Sequence, residues 1–133
     1  MIEARLQKAR RLLDLHRNLK QLEEQRIAGL QSRQAELEAL QEETAASLNA
    51  DEGLRSLFLP VIVRRLKSLS EESRRVAEEL ERRSRALRTL AGRTKFAERL
   101  SRTYEQEQAK ARAQKELIEI IERVARPDDA SLP

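Results

Sequence analysis

Few residues in this chain are equipped for chemistry. His16 is the only histidine among 133 residues, and cysteine is absent. Metal ligands come in clusters, and one imidazole with no thiolate makes none. The spacing of His16 from Ile2, Leu6, Ala9 and Leu13 places it near the apolar stripe of a helix, a structural position. The carboxylate pairs Glu23/Glu24 and Glu78/Glu79 are adjacent in sequence. On a helix such neighbours point about 100° apart and build no acid–base dyad. There is no GxxxxGK[ST] or GxGxxG stretch to cradle a phosphate. The expectation is a protein that is not an enzyme and has no metal site and no cofactor.

What the chain has instead is charge. Charged residues make up 38% and aromatics 2%, with one Tyr, two Phe and no Trp. A composition rich in Ala, Leu, Glu, Arg and Gln belongs to long helices and coiled coils. From Met1 to Gly53 there are 8 Lys/Arg against 10 Asp/Glu, net −2; from Leu54 onward there are 19 against 13, net +6. The densest stretch is "RRSRALRTLAGRTKFAERLSR", Arg82 to Arg102, where Glu98 is the one acid. Its cations include Arg88, Arg93, Lys95, Arg99 and Arg102, candidates to touch an acidic partner. Solvated arginines that merely keep a coiled coil soluble are the plain alternative.

The elements that carry these residues follow from apolar spacing. In the first arm apolar residues fall at Ile2, Leu6, Ala9 and Leu13, at Leu15, Leu19 and Leu22, then at Ile27, Leu30, Leu37, Leu40 and Leu48. Steps of 3 and 4 predict a helix over about 2–48, with a local stutter between Leu22 and Ile27. The second arm runs Ile62, Leu66, Leu69, Ser73, Val76, Leu80, Arg83, Leu87, Leu90, Thr94, Ala97, Ser101, Tyr104, in steps of 4 and 3 throughout. That heptad pattern predicts a helix over about 62–126. Pro127 ends it, and 127–133 reads as a disordered tail.

Between the arms, Asn49 and Glu52 resemble a capping box. The most apolar segment, "LRSLFLPVIVRRL", follows and contains Pro60. The expectation is a corner over 49–61: Leu54, Leu57 and Phe58 plug the closed end, Pro60 kinks or breaks the chain, and Ile62 starts the seam. A binding tip is the alternative for this segment. Two long helices with a short connection pack antiparallel, so the predicted fold is all-α. It is a long two-helix coiled-coil hairpin over 1–126 with a short kinked helical segment at the corner. A turn centred near Asp51 puts residue i opposite a residue near 102 − i, so that Ile2 meets Leu100. Basic stretches of both arms then lie side by side. At the closed end, acids such as Glu42 and Glu43 face Arg55, Arg64, Arg65 and Lys67. The second arm outruns the first, leaving Leu117, Ile118, Ile121 and Val124 without a cover from their own chain, in need of a partner.

A protein cytoplasmic in location fits the absence of cysteine, of an apolar stretch near the start, and of any run approaching the roughly 20 residues a bilayer requires. Nucleic acid is a rival partner, given the basic stretch and a sequence pI near 9.8. Against it stand the lack of aromatics interleaved with the arginines and their scatter around the helix. A membrane-surface helix would want a broad apolar face with Trp or Phe. Self-assembly, in which the overhangs of two chains pair, is a further alternative.

A Cys-free helical hairpin of this length, with a charged start and a basic second arm that outruns the first, resembles the FliJ-type stalk proteins of flagellar and type III export. The segments "GRTKFAERLSR" and "KELIEIIERV" are similar to the second arm of small alphaproteobacterial relatives of that family. The resemblance implies a non-enzymatic rod that links the hexameric export ATPase ring to the acidic cytoplasmic domain of the export gate. It also implies contact with export chaperones, a role in motility, and a peripheral position at the inner-membrane export apparatus. In that reading Arg93, Lys95, Arg99 and Arg102 touch an acidic partner, while Leu117 to Val124 bind or insert. Pro60 has no counterpart in a plain hairpin.

Overall fold

The computed structural model describes residues 1–49 and 52–126, apart from the side chain of Leu54. The expected tail, Ala50 and Asp51 of the expected corner, and the Leu54 part of the plug lie outside the described residues. α1 spans Ile2–Ala46, a 3-10 turn spans Ser47–Asn49, and α2 spans Glu52–Val124. The two helices pack against each other as an antiparallel hairpin, and no strand occurs among the described residues. The chain obeys its composition: three Gly and three Pro leave little to interrupt a helix.

The corner differs from expectation. α2 begins at Glu52 and runs through Pro60 without a break. Proline removes one hydrogen bond, the one to the carbonyl of Ser56. Both Ser56 and Pro60 are exposed, so water can take that carbonyl. The long helix that follows, to Val124, absorbs the rest of the cost.

The α1 seam also differs. Its seam positions run Ile2, Leu6, Ala9, Leu13, His16, Lys20, Glu23, Ile27, Leu30, Gln34, Leu37, Gln41, Thr44 and Leu48, with Arg33 and Leu40 half-buried beside them. The steps are 4-3 throughout, and there is no stutter. Leu15, Leu19 and Leu22 are 53%, 41% and 44% exposed. The partner seam on α2 is an unbroken heptad, and a helix packed against it must stay in phase. The polar residues His16, Lys20 and Glu23 therefore occupy the seam, and the leucines beside them do not.

The packing divides into two units: Met1–Arg17 with α2 from Gly92, and Asn18–Ala91. In the second unit, Leu37 is fully buried and Ile27 and Leu69 nearly so. Glu23 is 7% exposed and accepts from Arg83 Nη1 at 3.3 and 3.4 Å. Arg26 and Glu79 extend this pair to a four-member cluster, at 3.7 Å to Glu23 and 3.4 Å from Arg83. Arg33 donates from Nε to Glu72 at 3.2 Å and from Nη1 to Glu36 at 3.0 Å. Hydrogen bonding to Glu72 first, then to Glu36, raises the Arg33 pKa above its ordinary value. Deleting one member of a buried pair strands the other, which is why Glu23 and Arg83 fix the alignment more than they add stability.

In the first unit, Leu6, Ala9, Leu13, Thr94, Ala97 and Ser101 are buried. The cross-helix pairs are Arg10–Glu105 at 3.4 Å and Arg17–Glu98 at 3.6 Å. Ile2 shares a cleft with Gln108 and Ala111. These contacts put α1 residue i level with an α2 residue between about 110 − i and 115 − i. Ile2 therefore meets Gln108, where the sequence reading placed Leu100.

His16 sits in this seam half-buried, with Nδ1 buried and without a hydrogen-bond partner. An unpaired buried polar atom costs about 1–3 kcal/mol. His16→Leu is expected to stabilise the protein by about that amount, raising Tm by several degrees in a thermal melt followed by circular dichroism. A lowered Tm would show that the imidazole contributes to the seam in a way its contacts do not reveal.

Candidate interaction site

The surfaces available for contact are best located from the seam outward. With the seam positions named a and d, the flanking positions are e on one side and g and c on the other. In the first unit the e flank carries Arg10, Arg17, Glu98 and Glu105, joined in two ion pairs. They wall a cleft of about 540 Å³ together with Asp14 and Arg102. The expected repulsion between basic stretches is thus relieved here by interleaved carboxylates. These pairs are solvent-exposed and contribute no more than about 1 kcal/mol each.

The opposite flank of the same unit is built differently. Leu12 and Leu15 of α1 lie on it, 38% and 53% exposed. Phe96 of α2 lies on it, 65% exposed, beside half-buried Leu100. Its edges hold Arg5, Lys8 and Arg11 of α1 and Arg93 and Arg99 of α2, all exposed. Among the described residues none of these five has a carboxylate in salt-bridge range, in contrast to Arg10 and Arg17. Of the acids in the paired part of this unit, Glu107 alone lies on this flank; Glu3, Asp14, Glu98 and Glu105 lie on the other.

The residues predicted to touch an acidic partner are all exposed. Arg93, Lys95, Arg99 and Arg102 belong to the first unit, Arg88 to the second. They do not converge on one face: Arg93 is on the leucine flank with Arg99 at its outer edge, and Lys95 and Arg102 are on the ion-pair side. The predicted overhang is present and shorter than the expected 25 or so residues. α2 continues from Gln108, level with Ile2, to Val124. Along it Leu117, Ile118, Ile120, Ile121 and Val124 are 57%, 55%, 53%, 56% and 80% exposed. On a helix these five fill one broad arc, with Glu116 and Glu122 at its two edges.

The corner residues require correction. Leu57 is 71% and Phe58 48% exposed, and Pro60 is exposed, so none of them plugs the closed end. Ile62 is half-buried and lines a cleft with Leu40, Thr44 and Ser47, and Leu48 is half-buried as well. Leu59, Val61 and Val63 are exposed as well. Of the cations expected to pair with the acids nearby, Arg55 pairs with Glu52 at 3.7 Å. Arg64, Arg65 and Lys67 have no ion pair among the described residues.

No group of three or more His, Asp or Glu side chains among the described residues is placed to hold a metal ion. No helix among them is long and apolar enough to cross a membrane. Comparison with protein-family models, curated proteins and solved structures gave no match.

Sequence reasoning located the basic stretch and the apolar overhang and missed the leucine flank. Its signal is present in the sequence: Leu12, Leu15, Leu19 and Leu22 each stand one position before a seam residue. Taken as the seam itself, they hide the flank. An exposed corner also changes an expectation about stability. Phe58→Ala is expected to move Tm by no more than a degree or two, equivalent to about 0.5 kcal/mol, while Leu37→Ala costs about 2–5 kcal/mol. A loss on Phe58→Ala as large as that of Leu37→Ala would restore the plug.

Proposed function

We propose that this protein is a non-enzymatic coiled-coil interaction protein acting as a FliJ-like stalk between a flagellar or type III export ATPase and its export gate. The observation that supports this reading is the set of exposed cations on α2, Arg93, Lys95, Arg99 and Arg102, without carboxylate partners among the described residues. Like charges on neighbouring turns repel, and an acidic surface that binds them is favoured by relief of that repulsion. The uncovered apolar turns from Leu117 to Val124 add a second surface whose burial would favour assembly.

Pull-down against the export ATPase and against the cytoplasmic domain of the export gate tests the reading. Wild type is expected to bind one or both. Charge reversal at Arg93, Lys95, Arg99 and Arg102 together is expected to weaken binding to the gate domain by at least about tenfold, with helicity retained. Absence of binding to either partner, with wild-type motility after deletion, overturns it.

One observation favours a second reading. Phe96 is 65% exposed between Arg93 and Arg99, an aromatic face set among cations, as in single-strand binding. That reading requires measurable binding to single-stranded DNA or RNA at low salt, falling steeply as salt is raised. Fluorescence anisotropy with a labelled oligonucleotide decides it, and no binding at low salt removes it.

A further inference from the structure

The first unit carries two surfaces that complement each other and that its own chain does not bring together. One is the flank of Leu12, Leu15, Phe96 and Leu100 with its unpaired basic edges. The other is the overhang "ELIEIIERV", Glu116 to Val124, whose apolar arc is edged by Glu116 and Glu122. We propose that the overhang of one copy packs on this flank of a second copy, and the reverse, in a symmetric antiparallel dimer.

Length supports the match. Beyond the cleft that Met1 to Glu3 share with Gln108, Ala111, Arg112 and Lys115, the overhang covers 9 residues from Glu116 to Val124, about 12 Å at 1.5 Å per step. The stretch of α2 it would lie against, Thr94 to Arg102, has the same length and holds Phe96, Leu100 and Arg99. A two-fold axis near residue 109 of α2, close to the end of α1, makes both overhangs meet their partners at once. Ile118 of one copy is then level with Leu100 of the other. Glu116 is level with Lys8, and Glu122 lies within one helical turn of Arg93, Arg99 and Arg11. Whichever edge faces which helix, each glutamate finds a cation now lacking a partner. The same operation covers five apolar side chains that are more than half exposed in the single chain. An isologous contact of this kind closes on itself and builds no fibre. The opposite flank offers no such site, because its cations already hold Glu98 and Glu105. The inference does not depend on the export reading.

Sedimentation equilibrium of the full chain tests it. The expected mass is twice 15.4 kDa, with dissociation on dilution over about a hundredfold range. Glu116→Lys with Glu122→Lys is expected to give a monomer. Lys8→Glu, Arg11→Glu and Arg99→Glu together are also expected to give a monomer. Mixing the two variants restores a dimer, because each reversed overhang meets a reversed flank and each natural one a natural flank. The chain has no cysteine, so Phe96→Cys and Ile121→Cys chains, mixed and oxidised, report the contact independently by forming an intermolecular disulfide. A wild-type monomer at the highest concentration overturns the proposal. So does a mixture that stays monomeric, and so does a dimer lost with Ile121→Asp yet unaffected by Leu15→Asp with Phe96→Asp, which would mean that overhangs pair with each other. Binding to the export components is scored separately, so either result leaves the other reading to stand or fall by its own assay.

Discussion

A pair of helices buries one seam and no more. Each helix offers a partner a stripe little wider than its a and d positions, and the rest of its surface faces water. Alignment along the pair therefore governs every other feature of this protein. Each fully buried leucine, such as Leu6 or Leu37, contributes about 1.5–3 kcal/mol. Those contributions define the seam but do not choose among registers, since a shift of one heptad again opposes leucine to leucine. The polar members make the choice. Glu23 between Arg26 and Arg83, and Arg33 against Glu72, are satisfied in one alignment and stranded in the next. A charge left unpaired in a seam costs more than a lost apolar contact.

That alignment explains what is uncovered. At the closed end Leu57, Phe58, Leu59, Val61 and Val63 are exposed while Ile62, beside Leu40 and Thr44, is half-buried, so only one stripe of this uncharged run meets α1. In the first unit Met1 to Glu3 share a cleft with Gln108, Ala111, Arg112 and Lys115, and α2 from Glu116 onward is uncovered. α2 has 73 residues against 45 in α1. The difference must appear as unpaired helix, and its location follows from the register alone. Pro60 fits this picture, because a proline costs least where the freed carbonyl reaches water.

The second helix was legible because every seam position from Ile62 to Tyr104 obeys the same period, even where it is Ser73, Arg83 or Thr94. The first helix misled through its leucines. Leu15, Leu19 and Leu22 form a heptad-spaced stripe of their own, and hydrophobicity alone ranks them above His16, Lys20 and Glu23. Only the partner's phase decides between the two stripes, and that is a tertiary constraint, not a local one. The corner misled for a related reason. A large apolar cluster near a turn suggests a plug, but whether anything stands opposite Phe58 depends on where the alignment places the end of α1. The basic stretch could be read directly. Its division into a paired flank and an unpaired one could not, because that needs the cross-helix partners Glu98 and Glu105.

The same economy bears on how the proposed contacts relate. The overhang and the cation-edged flank are the surfaces the export reading assigns to other proteins, and also those the proposed dimer covers. One surface cannot be occupied twice. Self-association and partner binding are then linked by mass action, each weakening the other by the free energy of the contact that must be broken. A partner carrying an acidic amphipathic helix would resemble the chain's own "ELIEIIERV" and compete with it for the same leucines and arginines. The dimer in that case protects exposed apolar turns until a tighter acidic partner arrives. The interface has to be weak for this exchange to work, and its composition agrees: five aliphatic side chains and a pair of rim glutamates per overhang, with no buried aromatic beyond Phe96 to hold it.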